Sequence, residues 1–214
     1  MKLTLFCDPS CYYQKVEKYL LQYEADNCLI MGTSKGLCCS EIEAARLPYL
    51  AVVENGKSLL ATAIQTSPRK LILAKSSNTK AIELIAQDLA TDSESLPGII
   101  APKAEAETFV KTWQRLGGKS GKLEMAMRIH QLEKVKAINN ASGSLRIAIE
   151  SDRILLTDWT QAFEKEALGD NEPKSDSQLW FDRHIENKSL FIWQDTKAVS
   201  MAAFGGATPN IKFG

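Results

Sequence analysis

Histidine, a common general base and metal ligand in proteins, is almost absent from this chain. The 214 residues contain only His130 and His184, and no local motif pairs either of them with a cysteine nucleophile. Both stand beside polar neighbours, so we expect both side chains to be solvated. The five cysteines all lie between Cys7 and Cys39, and an odd number at one end of the chain excludes a disulfide framework. Cys7 and Cys11 are separated by three residues and lack further ligands, so we expect no metal site.

Three further absences narrow the functional class. Lys and Arg together number 26, as do Asp and Glu, and aromatic residues make up 7%. A neutral chain poor in aromatics is unlike a nucleic-acid-binding protein, so we expect no nucleic acid partner. No stretch approaches the roughly 18 consecutive apolar residues of a membrane-spanning helix. The N-terminus lacks the pattern of a signal peptide, and with reduced thiols this predicts a cytoplasmic location.

The first part of the chain shows alternating strand and helix patterns. A strand is predicted from Lys2 to Phe6, followed by a helix that starts at Asp8-Pro9 and buries Val16, Tyr19, Leu20 and Tyr23. Gly32 and Gly36 are interpreted as helix breakers. Asn55-Gly56 predicts a type I′ hairpin between strands that begin near Tyr49 and Ser58.

Further elements follow from the same patterns. Strands are predicted at 70–74 and 99–100, and helices at 79–90 and 104–116. Leu123 to Ile129 alternates apolar and polar residues, which predicts a strand buried on one face. A polar stretch within 133–143 is predicted to be a linker.

A second block begins after the linker. It is predicted to contain a strand at 145–149, a helix at 152–168, a helix at 177–187 and a hairpin over 190–204. The first of these helices is expected to direct four apolar side chains inward: Leu155, Leu156, Trp159 and Phe163.

The two blocks repeat one another. The hairpin near Leu50 and the hairpin near Leu190 both lead through a Thr/Ser-Pro segment into a third strand, at an offset of about 140 residues. We therefore predict two units, residues 1–135 and 144–214, with the second copy stopping as its third strand begins. The strand at Ala198–Phe204 would then be an open edge. We expect it to pack on the first unit or to pair across a two-fold axis in a homodimer.

Four stretches of the second block form the opening strand, the first helix and the hairpin of one pattern: Ser144–Ala148, Asp158–Phe163, Leu190–Asp195 and Val199–Ala203. In these stretches the second block resembles the GNAT N-acetyltransferase superfamily, and in particular its bacterial two-unit members. The resemblance implies an α/β fold of the α+β type, with a mixed, mainly antiparallel sheet flanked by helices. It implies a degenerate N-terminal GNAT-like unit and a partial second one. It also implies acetyl-CoA as co-substrate, and a small-molecule or peptide amine as acceptor.

The family's most diagnostic motif, Arg/Gln-x-x-Gly-x-Gly/Ala, holds the acetyl-CoA pyrophosphate on backbone N–H groups at a helix N-terminus. The corresponding position in the first block runs from Lys75 to Ala81 and has no glycine. The second block ends before that position is reached. The lysines Lys75 and Lys80 are interpreted as solvated neighbours of a helix cap at Asn78 or Thr79.

No catalytic residue can be carried over from the family. Five residues of the second block are candidates for the acceptor-side wall, with packing in the core as the alternative for the aromatic ones: Trp159, Phe163, Glu166, Trp193 and Ser200. Two functions remain open. One is an acyl-CoA-dependent N-acyltransferase impaired by the missing loop, and the other is a non-catalytic binding or assembly module derived from an acetyltransferase.

Overall fold

The structure, a computed structural model, describes residues 1–39, 47–66, 68–92, 96–134, 136, 141–168, 177–205 and 208–210. Within these residues the chain forms six α-helices, a mixed five-stranded sheet and a three-stranded antiparallel sheet. This confirms the predicted α+β class with flanking helices. Two compact units divide the chain between Leu132 and Glu133, and residues 208–210 belong to the first unit rather than the second.

The first unit alternates strands with helices. In chain order its elements are β1 (Lys2–Leu5), α1 (Pro9–Leu20), α2 (Cys28–Cys38), β2 (Tyr49–Asn55), β3 (Ser58–Gln65), β4 (Leu71–Leu73), α3 (Thr79–Asp92), β5 (Ile99–Ile100) and α4 (Lys103–Arg115). The strand order in the sheet is β1-β2-β3-β4-β5. All neighbouring pairs are antiparallel except β4 and β5, which are parallel and joined through α3.

Helix α1 begins as predicted. The Asp8 carboxylate accepts a hydrogen bond from the Cys11 amide at 2.8 Å, and Pro9 is the first helical residue. Val16 and Leu20 are fully buried, but Tyr23 is 51% exposed. The prediction for Tyr23 is wrong because the chain tightens into a 3-10 turn after Leu20, which rotates the tyrosine off the buried face.

The prediction that Gly32 and Gly36 break the chain is also wrong, since both lie inside α2. Two glycines cost a helix about 1 kcal/mol each relative to alanine. Ile30 and Met31 are almost completely buried in the core of the unit. Tertiary packing therefore outweighs the local preference.

The β2–β3 hairpin forms with a different turn from the one expected. Asn55 pairs with Ser58, so Gly56 and Lys57 are the two central residues. Gly56 has a φ of 61°, whereas neither Asn55 nor Lys57 has a positive φ. A positive φ at the first central position alone is the pattern of a type II′ turn rather than type I′.

The sheet of the first unit is buried on both faces. On one face Leu50, Val52 and Ile64 pack with residues of α1 and α2. On the other face Ala51 and Val53 pack with residues of α3 and α4, including Phe109 and Trp113. Helix α4 ends as predicted at a glycine, since Gly117 has a φ of 89°.

The strand predicted from Leu123 to Ile129 is not present. The chain forms no strand over residues 116–134, and the side chains from 119 to 134 are exposed throughout. The alternating pattern therefore finds no neighbouring strand among the described residues of a single chain. Parts of the predicted linker at 133–143, and the third strand predicted at 211–213, lie outside the described residues.

The second unit contains a smaller sheet of order β6-β7-β8. Its elements are β6 (Ser144–Ile147), α5 (Arg153–Leu168), α6 (Ser177–Glu186), β7 (Leu190–Gln194) and β8 (Ala198–Ala203). Leu156 is buried and Trp159 packs on the core, but Leu155 is 38% and Phe163 65% exposed, so the inward prediction is wrong for these two. The buried stripe of α5 ends at Thr160, and Phe163 extends beyond it.

The repeat predicted from the sequence is present in strand order, register and irregularity. Lys2 pairs with Glu54 as Ser144 pairs with Gln194. The hairpins of both units shift register at the same place, between Val53 and Glu54 in one and between Trp193 and Gln194 in the other. A bulge of this kind is a specific feature, so its recurrence at the equivalent position supports duplication of one structural unit.

An ion pair links the first strand of the second unit to the start of α5. The Arg146 guanidinium donates two hydrogen bonds to Asp152, at 2.7 and 2.8 Å, and also contacts the Gln194 side chain at 3.1 Å. Asp152 accepts a third bond from the Ile149 amide at 2.9 Å. The hydrogen bonds from Arg146 lower the pKa of Asp152 below its ordinary value, although partial burial acts in the opposite direction.

This pair makes the second unit sensitive to acid. Because the pKa of Asp152 is lower in the folded chain, its contribution to stability is full above the unfolded pKa of about 3.9. The contribution is lost as the pH falls through the folded pKa. We expect Asp152→Asn to destabilise the unit at neutral pH and to flatten the loss of stability below pH ~4, measured by urea unfolding at several pH values. Asp158→Asn, at an exposed position of α5, is the control and should change the free energy of unfolding at neutral pH by less than ~0.5 kcal/mol.

A buried hydroxyl in the first unit gives a second test. Thr62 donates to the Ala51 carbonyl at 2.8 Å, and the Tyr12 hydroxyl lies 2.7 Å from Thr62 Oγ1 and 3.2 Å from the Ala63 carbonyl. Tyr12→Phe removes this hydrogen bond from a fully buried site, so we expect a loss of about 1 kcal/mol in the free energy of unfolding. Tyr23→Phe, at an exposed ring, should change it by less than ~0.5 kcal/mol. Equal effects of the two substitutions in urea titrations would contradict this account.

Candidate functional site

The loop between β4 and α3, residues 74–78, leads into the stretch from Lys75 to Ala81, where the resemblance to GNAT proteins predicts the position of a site for the acetyl-CoA pyrophosphate. It leaves the sheet at the end of β4, beside the parallel strand β5, and enters the N-terminus of α3. Backbone N–H groups at such a strand-to-helix turn form an anion site when they are free and when the backbone can be approached closely. The partners of these N–H groups therefore decide what the loop can bind.

The central amide of the loop is already occupied by an acid. The Ser76 amide donates to Glu105 Oε1 at 2.7 Å. Glu105 lies in the first turn of α4 and is only 5% exposed. A carboxylate is favoured there by the positive end of the helix dipole. An entering phosphate would meet this carboxylate and be repelled by it.

The neighbouring amide of Lys75 is bound by another side chain of the unit. It donates to Asn27 Oδ1 at 2.8 Å, and the amide group of Asn27 in turn donates to the Leu20 carbonyl at 2.9 Å. Asn27 is 1% exposed. The Tyr19 hydroxyl lies 2.7 Å from the Leu60 carbonyl and 2.8 Å from the Lys75 carbonyl, and burial raises its pKa. The loop is thus fastened from the side of α1 as well.

The loop also caps itself. The Ser76 hydroxyl donates to the Leu60 carbonyl at 2.7 Å and accepts from the Asn78 amide at 3.0 Å. Asn78 Oδ1 accepts from the Ala81 amide at 3.0 Å, which makes Asn78 the N-cap of α3. Among the described residues, the amides of Ser77, Thr79 and Lys80 donate to no acceptor. None of these residues is glycine, so their side chains hinder the close approach of a phosphate to the backbone.

The charge of Lys75 is directed away from the loop amides. Its Nζ forms an ion pair with Asp26 at 3.0 Å and lies 4.9 Å from the centre of the Tyr23 ring. The hydrogen bond to Asp26 raises the pKa of Lys75. Lys75 is therefore ion-paired at the surface, with its side chain 39% exposed, and Lys80 is exposed as well.

The candidate acceptor-side residues of the second unit do not meet at one place. Trp193 and Ser200 are directly opposite each other on β7 and β8. Trp159 packs with Leu190 and Ile192, whose side chains point to the other face of the same sheet. Phe163 and Glu166 are exposed at the far end of α5. The Trp193 indole N–H donates to the Ser142 carbonyl at 2.8 Å, so this residue has a structural partner.

The sheet face that carries Trp193 is apolar, and within the described residues of this unit no helix packs on it. By register, Phe191 and Trp193 occupy the positions that Ala51 and Val53 hold in the first unit, where α3 and α4 cover them. Four further side chains share this face: Leu145, Ile147, Ser200 and Ala202. Leu145 and Ile147 are exposed.

One polar pair was not found from the sequence. His184 Nδ1 lies 2.6 Å from Ser189 Oγ, and the Trp180 ring packs against the imidazole. Burial and the nearby Arg183 lower the pKa of His184, so the prediction of a solvated side chain is wrong for this histidine. Ser189 is 4% exposed, which leaves its hydroxyl out of reach of a substrate. His184 and Ser189 are five residues apart across the end of α6, and this spacing matches no sequence motif that could have predicted the pair.

The described residues show neither a candidate metal site nor a helix that could span a membrane. Over the described ranges, no three His, Cys, Asp or Glu side chains are close enough together to hold a metal ion. None of the described helices is both long enough and apolar enough to cross a bilayer. In the comparisons with known proteins, no family model, curated protein or solved structure matches the chain.

The buried acceptor at the loop gives a direct test of its construction. Glu105→Ala leaves the Ser76 amide without its partner, so we expect the free energy of unfolding to fall by about 1–3 kcal/mol. Hydrogen exchange at the Ser76 amide should accelerate. Glu107→Ala removes an exposed carboxylate of the same helix, whose contact with Lys103 is 3.9 Å, and should cost less than ~0.5 kcal/mol. Unchanged exchange at Ser76 in the Glu105 variant would contradict the assigned bond.

Proposed function

We propose that this chain is a non-catalytic binding and assembly protein built on a GNAT-like fold. The observation that carries the proposal is the hydrogen bond from the Ser76 amide to the buried carboxylate of Glu105. It fills with negative charge the position at which a catalytic GNAT unit would hold the pyrophosphate of acetyl-CoA. The residues of this loop therefore do not fit that co-substrate, and no catalytic step is derived through it.

Two further features support a binding role. The second unit presents an apolar sheet face, and contiguous apolar surface of this kind is typical of protein interaction sites. Strand β8 is an edge of its sheet, and open edges are commonly paired with another strand. The predicted homodimer or edge-strand pairing remains part of this proposal. The free thiols of Cys7, Cys11, Cys38 and Cys39 are exposed, which supports a reducing, cytoplasmic setting.

The alternative is an acyl-CoA-dependent N-acyltransferase that acts on a small-molecule or peptide amine. It rests on the resemblance of the second block to GNAT proteins. The separation of Trp159 from Trp193 and Ser200 on opposite sheet faces does not favour it. The acyltransferase must bind acetyl-CoA, whereas the binding and assembly protein is expected not to bind it. A test of acetyl-CoA binding therefore distinguishes the two functions.

Calorimetric titration of the full chain with acetyl-CoA distinguishes the two functions. We expect no saturable binding up to about 1 mM, which corresponds to a binding free energy weaker than ~4 kcal/mol. Backbone amide resonances of residues 75–81 should not shift. Saturable micromolar binding with shifts at Ser76 to Lys80 would overturn the proposal and would justify a screen of amine acceptors.

Removal of the loop's charge tests the reason for this expected absence of binding. Glu105→Gln keeps an acceptor for the Ser76 amide but removes the negative charge, so repulsion of phosphate falls. Because the glutamine still occupies the Ser76 amide and residues 75–81 contain no glycine, we expect this variant to gain only weak, millimolar affinity for inorganic pyrophosphate. Glu107→Gln, which removes an exposed charge from the same helix, should not gain it. If both variants behave like the original chain, the carboxylate of Glu105 is not what keeps anions out.

A further inference from the structure

Among the described residues of the first unit, the segment from 122 to 130 carries the longest run of alternating apolar side chains that the core does not use. Leu123 is 78% exposed, Met125 50%, Met127 67% and Ile129 51%. No backbone hydrogen bond joins this segment to another described residue. A run of four alternating apolar side chains in water is unfavourable and typical of a surface that is covered in the working state of a protein.

The segment is held beside the sheet at its beginning. Glu124 forms an ion pair with Lys70, the residue before β4, at 2.6 Å between Oε2 and Nζ. The backbone at Gly121 lies against Val110 of α4 so closely that an added Cβ would come within 3.1 Å of the valine. These two contacts hold the start of the segment against the first unit. The residues after Glu124 have no neighbouring strand among the described residues.

The sequence of the segment is complementary to itself in antiparallel register. With Ala126 on a two-fold axis, Leu123 faces Ile129 of a second copy and Met125 faces Met127. Residues opposite each other in a β-ladder share one face, so all four apolar side chains of each copy lie on the same side.

The charges match in the same register. Glu124 faces Arg128, and because the axis repeats every contact, this pair occurs twice. At the ends of the segment, Lys122 faces His130, so the charge match rests on the Glu124–Arg128 pair. Opposite charges placed directly across a ladder stabilise it, whereas like charges destabilise it. A carboxylate has acceptor sites for several donors, so Glu124 can bind an arginine of a second copy and keep its bond to Lys70.

We propose that the 122–130 segment pairs with the same segment of a second copy of this chain, and that the two form an antiparallel β-ladder centred on Ala126. Such a ladder would explain the alternating strand pattern of Leu123 to Ile129, which pairs with no strand in a single chain. Strand β5 is a less suitable partner, since it has only two paired residues. This inference deepens the proposed assembly role and rests on it, but loop chemistry and oligomeric state are measured separately.

Sedimentation velocity of the full chain tests the ladder. We expect a monomer–dimer equilibrium that moves toward dimer as the concentration is raised over roughly a hundredfold range. Amide hydrogen exchange from Leu123 to Ile129 should slow over the same range. A chain that stays monomeric throughout overturns the inference, and it leaves the acetyl-CoA result untouched.

Charge reversal identifies the register. Glu124→Arg and Arg128→Glu each place like charges opposite one another at both symmetric positions, so each variant alone should lose the dimer. An equimolar mixture of the two variants restores opposite charges across the ladder and should dimerise again, as should the double variant. The mixture guards against misfolding, because a misfolded chain would not be rescued by its partner.

A matched control reverses a charge elsewhere. Glu107→Arg changes an exposed glutamate of α4 in the same unit and should leave the dimer intact. A dimer that survives both single reversals in the segment overturns the proposal, and it assigns the interface to another surface, such as the β8 edge. Loss of the dimer in the control as well would also overturn it, since the effect would then follow net charge rather than register.

Discussion

Burial of the β2–β3 hairpin on both faces is the constraint on which the first unit depends. Leu50 and Val52 point to one side and Ala51 and Val53 to the other, and all four are out of contact with water. A strand pair that is apolar on both sides needs a layer of helices on each. Helices α1 and α2 form one layer, and α3 and α4 form the other. Because α3 must pass from β4 to the parallel strand β5, the loop at 74–78 is brought against the first turn of α4. The contact between Ser76 and Glu105 is a consequence of that path.

The second unit meets the same constraint with one helical layer in its described residues. Its hairpin keeps the register and the bulge of the first, but larger side chains stand where the first unit has small ones. Phe191 stacks on Phe204 with ring centres 5.9 Å apart, and the Trp193 indole satisfies its N–H on Ser142. Aromatic rings with such partners reduce the apolar area that a bare sheet exposes, and they also provide the kind of side chain that dominates protein interfaces. The equivalent face in the first unit is covered by α3 and α4 and carries Ala51 and Val53 at these positions.

Local signals predicted those elements whose residues decide their own conformation. Asp8-Pro9 predicted the start of α1, and Gly117 its counterpart at the end of α4, because caps depend on neighbours in sequence. Helix α2 was missed because its glycines argue locally against a helix that distant packing stabilises. The Leu123–Ile129 pattern was interpreted as a buried strand because periodicity reports what a segment can pair with, not whether a partner is present.

The same reasoning limits what the sequence could indicate about the site. The missing glycine motif was visible in residues 75–81, but the acid that fills its place comes from another helix, 29 residues away. Neither the packing of Trp159 and Trp193 on opposite faces nor the half-burial of His184 can be derived without the register of β7 and the end of α6. Only tertiary structure brings those residues together or apart.

The bond between Ser76 and Glu105 also has a consequence for the order of events during folding. The β2–β3 hairpin closes a loop of two residues and can form early, because contacts between near neighbours in the chain cost little entropy. The β4–α3 loop acquires its acceptor only after α3 and β5 have formed and α4 has docked. The Ser76 amide is therefore expected to become protected among the last in the unit, and a chain that has not yet placed α4 would leave this amide without its carboxylate partner for a short time.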